Sequence, residues 1–480
     1  MSGLIHSHRP ADPLVTADQT WSSAGRLVTD VALGHEARWR WQVAFGVAVA
    51  LMGVLAGSVG WLLWEGVGIW GNNIPVTWAL DIVGYDWWIG VATGSLAVSA
   101  LLLLTGAEWR GAVNRLAETT ALLSVAAAGL YPIIHLGRPW FFYWNLPYPN
   151  TFLLWPQFRS PLYWDAVDII SFLGITFLFW YTGLIPDLAS MRDRAIEAMV
   201  EGRDRPGHWT RRLKAQLYGI CALGWRGSAL HWRRWEHCYR AMAVFGLILV
   251  MSLQTGAAVM FAGTAEPGWH DVMLPVSYLL GALFAGVGVV AALLATVRGV
   301  FPLRPVITTR HFDLLAWLLL ALAVLNLYCY AASFLMSALA GSPFDKALLG
   351  RRFTGQHSWA TWGVIACSLV PPHLFWFARA RRSGLLLAAV GLLVAFGVWC
   401  DHFMVIVITL QHDFLPSAAH PYAVDVAGVA TFAGTVGLFL FLMLLFLRYV
   451  PIVSVVGLRW MLPALPLQSG PLQNGPVRRG

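Results

Sequence analysis

The sequence is poor in charge. Of its 480 residues only 12% are Asp, Glu, Lys or Arg, whereas 58% are hydrophobic. No water-soluble core absorbs that much apolar surface, so a soluble enzyme is excluded and an all-α polytopic membrane protein is expected. Cysteine is scarce too. Cys221, Cys238, Cys329, Cys367 and Cys400 lie far apart, with no CxxC and no Cys/His metal spacing. They read as buried thiols, and neither a disulfide nor a metal cluster is expected. The first forty residues lack the short apolar core of a secretory signal, so the N-terminus should stay where it is made. The formal net charge of +8 is not gathered into one basic face, which argues against nucleic acid.

What is present is a series of ten apolar runs, at 42–68, 87–105, 119–136, 163–186, 241–263, 273–297, 313–340, 358–378, 384–404 and 427–449. Each approaches the roughly twenty helical residues that cross a bilayer of about 30 Å. Helices are the only spanning form available to separate runs, because a lipid-exposed sheet edge leaves its backbone unsatisfied. Of the 32 basic residues, 26 fall at the termini and in the loops between runs 2–3, 4–5, 6–7 and 8–9, and Arg448 at the end of the last run. The other loops hold only Arg138, Arg159, Lys346, Arg351 and Arg352. This bias predicts both termini in the cytoplasm. The domain plan is a cytoplasmic segment at 1–40, a transmembrane domain at 41–450 and a cytoplasmic tail at 451–480. The tail, rich in Pro, Leu and Gly, reads as a surface extension. The loop at about 187–240 is the one large cytoplasmic segment. Its alternating charges and the HWRRWEHCYR string read as an amphipathic helix and an interfacial anchor.

The polar residues at the ends of runs carry the chemistry. Residues 131–168 join runs 3 and 4 through a loop crowded with Trp, Phe, Tyr and Pro. This loop suits the apolar walls of a pocket for a flat ring, and equally an interfacial aromatic belt. Run 3 ends outward with His135 and Arg138; run 4 starts inward with Trp164, Asp165 and Asp168. Run 9 ends outward with Asp401 and His402. Two histidines and three carboxylates are therefore expected at one depth near the outer surface. Ionisable groups there tend to face a cavity or each other. A quinol headgroup suits such a cluster, because its oxidation releases two protons that a histidine or carboxylate must accept. His135 as base with Asp165 behind it is the expected catalytic pair, with Arg138, Trp140, Trp164, Asp168, Asp401 and His402 around the ring. Glu65, Gln254, Asn326, Tyr328, Tyr330 and His373 are either single interhelical hydrogen bonds or a proton route. Small residues at Gly90, Gly94, Ser95, Gly281 and Gly286 suggest close helix crossings.

Several strings resemble the NrfD/PsrC family of membrane quinone-interacting subunits, and within it the ActC subunits of alternative complex III. They are NNIPVTWALDIVGYDWWIGVATG, NRLAE at 114–118, YPIIHLGRPWFFYW, EPGWHDVMLP followed by GALFAG, and LQHDFLPS. The resemblance spans about residues 65–460. It implies two four-helix bundles, helices 2–5 and 6–9, between peripheral helices in the bacterial inner membrane, and no cofactor held by the chain itself. It further implies a quinol site near the periplasmic surface, where His135 and Asp165 match the family's histidine and helix-4 aspartate. The partners it implies are a periplasmic iron–sulfur subunit of molybdopterin-oxidoreductase type, a second NrfD-like membrane subunit and a multihaem cytochrome c. The chain also departs from the pattern. Thr93 stands for a helix-2 histidine, Gln254 and Thr255 for a helix-5 aspartate, and Asp401-His402 for a Glu-Arg pair, while a helix-7 glutamate is missing around 331–334. These losses weigh against proton translocation and keep open a non-catalytic anchor for peripheral redox subunits. A haem b cytochrome would need paired histidines at one depth, such as His135 and His402. A secondary transporter would gather its polar groups at the midplane instead.

Overall fold

The computed structural model describes residues 13–34, 38–77, 79–145, 161–201, 208–412 and 414–462. Among them are nine helices long and apolar enough to cross a membrane, and no strand. They are α1 (Trp39–Glu65), α2 (Ala79–Leu104), α3 (Arg110–His135), α4 (Tyr163–Glu201), α5 (Ala229–Ala262), α6 (Leu274–Val300), α7 (Thr309–Leu339), α8 (Gly384–Ile408) and α9 (Val426–Tyr449). The eighth apolar run is also helical but broken into Ser358–Gly363, a π-helical turn Val364–Leu369 and a 3₁₀ turn Pro371–Trp376. Pro371 and Pro372 lack the amide hydrogens that a continuing α-helix needs, so the segment cannot remain regular.

Helices α2–α5 pack as one bundle, and α6, α7, the broken segment and α8 as a second. The bundles meet where α2 crosses α6, and α1 and α9 pair along one flank. The crossing is made possible by missing side chains. A Cβ on Gly94 would collide with the Ala282 carbonyl and stand 3.1 Å from Gly286 Cα, and one on Gly286 would collide with the backbone of Gly94 and Ser95. Gly90 lies in ordinary contact with Ala282. Gly281 meets nothing within 4 Å, so of the expected packing glycines it alone faces open space.

Three boundaries differ from the sequence reading. Helix α2 begins at Ala79 rather than 87, because Asp81 and Asp86, which depress its local hydropathy, have partners inside the bundle. Helix α3 begins at Arg110, so Arg110 and Arg115 belong to the bundle rather than to a loop. The tail is not a surface extension where it is described: residues 451–458 are buried against the Arg115 end of the first bundle. There the Ser454 amide donates to the Gly111 carbonyl at 3.1 Å. Residues 463–480 lie outside the described residues. The alternating charges expected to form a separate amphipathic helix instead continue α4 as far as Glu201, and a further amphipathic helix, His208–Cys221, follows with Trp209, Leu213, Leu217 and Ile220 exposed. The HWRRWEHCYR string opens α5 itself.

The α2–α6 crossing yields a paired prediction. Gly94→Ala should destabilise the folded chain by more than the ~1–3 kcal/mol of ordinary overpacking, because the obstacle is backbone. Gly281→Ala should be neutral or stabilising by up to about 1 kcal/mol from helix propensity. Thermal unfolding of the two purified variants in one detergent checks the order.

Candidate functional site

The ionisable groups at the His135 end are organised by α2. Asp81 and Tyr85 are four residues apart, hence on one face and one turn apart. The carboxylate of Asp81, almost fully buried, lies 2.8 Å from Nδ1 of His135. The hydroxyl of Tyr85 donates to both oxygens of Asp165, at 2.8 and 3.0 Å. His135 and Asp165 are thus brought to adjacent turns of the same helix face, as their shared depth suggested. They are not partners of each other. The expected dyad is replaced by His135–Asp81 and Asp165–Tyr85, because α2 supplies the partner of each.

The support around His135 is built from the flanking chain. Trp70, in the 3₁₀ turn Val67–Trp70, stacks on the imidazole with centroids 6.0 Å apart and planes 6° from parallel. The Trp70 carbonyl accepts from Tyr422 at 3.2 Å. Just after His135 the chain turns through Gly137 at φ +67°, where a Cβ would stand 2.9 Å from Val67 Cγ1, so glycine is required there. One turn before His135, Tyr131 reaches Thr435 of α9 at 3.0 Å. Gly84 admits that phenol: a Cβ there would stand 2.6 Å from its oxygen.

Access separates the expected residues into two groups. The His135 side chain is 36% exposed, Arg138, Trp140 and Trp164 are exposed, and Asp165 and Asp168 are part-exposed. Asp401 and His402 are instead buried where α8 meets the first bundle, so they cannot line an open mouth. His402 faces Asp86 and Tyr278, while Asp401 faces Tyr330 and Arg352. Arg352 sits on the helix Pro343–Thr354 with an Nη donating to Thr409 at 3.2 Å. Burial lowers its pKa from the ordinary guanidinium value, with Asp401 and Asp271 acting the other way. Residues 146–160, which include much of the aromatic loop and Arg159, lie outside the described residues.

A second polar group occupies the other end of α3, about 30 Å from His135 at 1.5 Å per residue. Glu118 is fully buried and pairs with Arg110 at 3.2 Å and Arg115 at 2.8 Å. It also accepts from Ser99 at 2.7 Å and from Tyr239. Arg115 pairs in turn with Asp187 of α4 at 2.8 Å, and the second Asp187 oxygen accepts the Val456 amide of the tail at 3.2 Å. Two cations and two anions make the group neutral overall, which is how charge survives burial. Between the two ends the first bundle holds hydroxyls and one amide. Gln254 donates to Thr93 at 2.8 Å, so two departures from the family pattern meet as a neutral pair.

The other polar candidates do not line up. Glu65 and Tyr328 are exposed, Asn326 donates to Leu322 of its own helix and, as a single interhelical bond, to Leu280 of α6, and His373 accepts from Trp376. In the PGWH string, Gly268 has φ +82° against Leu348 and Arg352. Trp269 donates to the Val405 carbonyl at 2.6 Å, which the π-helical turn Met404–Ile408 leaves displaced from regular pairing. Among the described residues no group of three or more His, Cys, Asp or Glu side chains is placed to hold a metal. Sequence reasoning missed Asp81, Tyr85 and Asp86; their spacing inside the ALDIVGYDWW string was the available signal.

Comparison with known proteins agrees with this architecture. The family model described as polysulphide reductase, NrfD, matches residues 69–412. The C subunit of the selenate reductase of Mesobacillus selenatarsenatis is 22% identical over 84% of this chain and 92% of its own length. The membrane C subunit of a putative dimethyl sulfoxide reductase of Halobacterium salinarum is 26% identical over 37% of this chain and 39% of its own length.

The buried ion group makes a prediction about stability. Glu118→Gln removes one charge and leaves Arg115 and Arg110 in excess, a loss of about 3–5 kcal/mol. The double variant with Arg115→Met should recover part of it, and a double-mutant cycle on thermal unfolding measures the coupling.

Proposed function

This chain belongs to the NrfD family, and on that premise we propose that it is the quinone-interacting membrane subunit of a redox complex. Quinol binds at the His135 end, which the basic-residue bias assigns to the periplasmic side of a bacterial inner membrane. The observation that carries the reading is the pair of part-exposed groups, His135 and Asp165, each fixed by a partner on adjacent turns of α2. Asp81 accepting from Nδ1–H leaves Nε2 of His135 with a free lone pair, the form that can take a proton from a quinol hydroxyl. Asp165, oriented by Tyr85, is a second acceptor. Oxidation of one quinol to quinone gives two protons, one to each acceptor, and two electrons to an iron–sulfur partner. Trp140 and Trp164 supply apolar contact to the ring, and Asp168 and Arg138 set the charge at the mouth.

The reading extends to the assembly. The chain's part is to bind, orient and deprotonate, while the redox centres reside in partners: a periplasmic iron–sulfur subunit of molybdopterin-oxidoreductase type, a second NrfD-like membrane subunit and a multihaem cytochrome c. The two relatives, each named as the C subunit of a reductase, favour such an assembly. The neutral Thr93–Gln254 pair and the absence, among the described residues, of acids or histidines between the two polar ends of the first bundle favour proton release on the quinol side over transfer across it.

Two measurements test this. His135→Ala and Asp165→Asn should each lower quinol-dependent reduction of the partner by about 10²–10⁴-fold, the contribution of a positioned base, while the complex still assembles. Wild-type turnover in either variant removes that residue from the mechanism. Asp81→Asn should lower turnover by about tenfold or more through loss of the His135 tautomer, with quinone-analogue binding retained.

A further inference from the structure

The quinol site leaves one group unused. His402 is 3% exposed, and neither ring nitrogen has a hydrogen-bond partner among the described residues. Its Nδ1 stands 3.4 Å from an oxygen of Asp86, itself 5% exposed. The same oxygen accepts from Tyr278 of α6 at 3.0 Å. The chain neighbour Asp401, 8% exposed, bonds Tyr330 and lies within electrostatic reach of both His402 and Arg352. The imidazole packs on α2 at Gly90, with its nearest ring nitrogen 3.7 Å from where a Cβ would be, an ordinary contact.

The charges around this histidine come from both bundles. On the first-bundle side are Asp86, and beyond it Asp165 with Tyr85 and Asp168. On the second-bundle side are Tyr278, Asp401, Tyr330, Cys400 and Arg352, with Asp271 beyond. Arg352 compensates the Asp401 side. Asp86 has one hydroxyl donor and, among the described residues, no other cation within ion-pair distance. An unpaired buried carboxylate is strongly disfavoured. An imidazolium between the two carboxylates satisfies both. Asp86 is next in sequence to Tyr85, which holds Asp165, so the histidine borders the quinol-side acceptors across the α2–α6 crossing.

We propose that His402 is a stored proton, an imidazolium held between Asp86 and Asp401 where the two bundles meet, and that it couples protonation of Asp165 to the second bundle. A proton arriving on Asp165 removes one negative charge near Asp86. The hold on the His402 proton weakens, and one proton is released towards Asp401 for the one taken up. The coupling rests on the quinol reading; the imidazolium does not.

Solid-state NMR of the full chain in lipid, labelled with ¹⁵N-histidine, reads the charge directly, and His402→Gln identifies the signals by difference. Both His402 nitrogens should be protonated at neutral pH. They should shift to the neutral form in Asp86→Asn and remain protonated in Tyr278→Phe, which keeps the carboxylate. A neutral His402 in the wild type, or an imidazolium indifferent to Asp86→Asn, overturns the proposal. Should Asp86→Asn fail to fold, Asp401→Asn gives the same reading from the other side. For the coupling, the pH profile of quinol-dependent reduction should move by about 1–3 units in His402→Gln, the effect of deleting one neighbouring charge. An unmoved profile overturns the coupling. Wild-type protein that binds no quinone analogue sinks the quinol reading while leaving the NMR result standing, so the two failures are distinct.

Discussion

A charge in the low-dielectric interior of a helix bundle must have a partner, and that requirement fixes how α2 sits among its neighbours. Asp81, Tyr85 and Asp86 each engage a different helix: α3 through His135, α4 through Asp165, and α6 with α8 through Tyr278 and His402. Rotating α2 by one residue would break all three at once, and each orphaned carboxylate would carry a desolvation penalty larger than a typical surface interaction. The register of the first bundle is therefore set by polar pairs at one end and by the Arg115–Glu118–Asp187 group at the other.

Polar pairs specify register but do not bring backbones together. The small residues do that: Gly94 and Gly286 allow α2 and α6 to touch, and Gly288 and Gly391 do the same for α6 and α8. Close packing of this kind is what apolar surface alone cannot supply in lipid, where tails are as apolar as leucine. The two devices depend on each other. The short reach from Asp86 to Tyr278 lies on the crossing that Gly94 and Gly286 open, and the crossing stays in register because the carboxylate holds it.

Four of the strings that carry the family resemblance contribute residues to these positions. ALDIVGYDWWIGVATG contributes the three polar anchors and the crossing glycines, NRLAE the buried ion group, HLGRPW the histidine and its turn, and PGWH the indole that holds a displaced carbonyl. Thr93 and Gln254, where the resemblance implies a histidine and an aspartate, bond each other.

Composition and periodicity by themselves determined the membrane class, the helical fold and the number of apolar runs. These follow from hydrophobic length and from the scarcity of charge, which are linear properties. Tertiary structure alone decided the pairings. Nothing in the order of residues says that Asp81, 54 positions before His135, is its partner, or that Asp401 and His402 turn inward rather than towards a ligand. Nor does it say that residues after Pro451 seal a buried salt-bridge group. A hydropathy window penalises Asp81 and Asp86 as though they faced lipid, because the partner that neutralises each one exists only once the helices have packed.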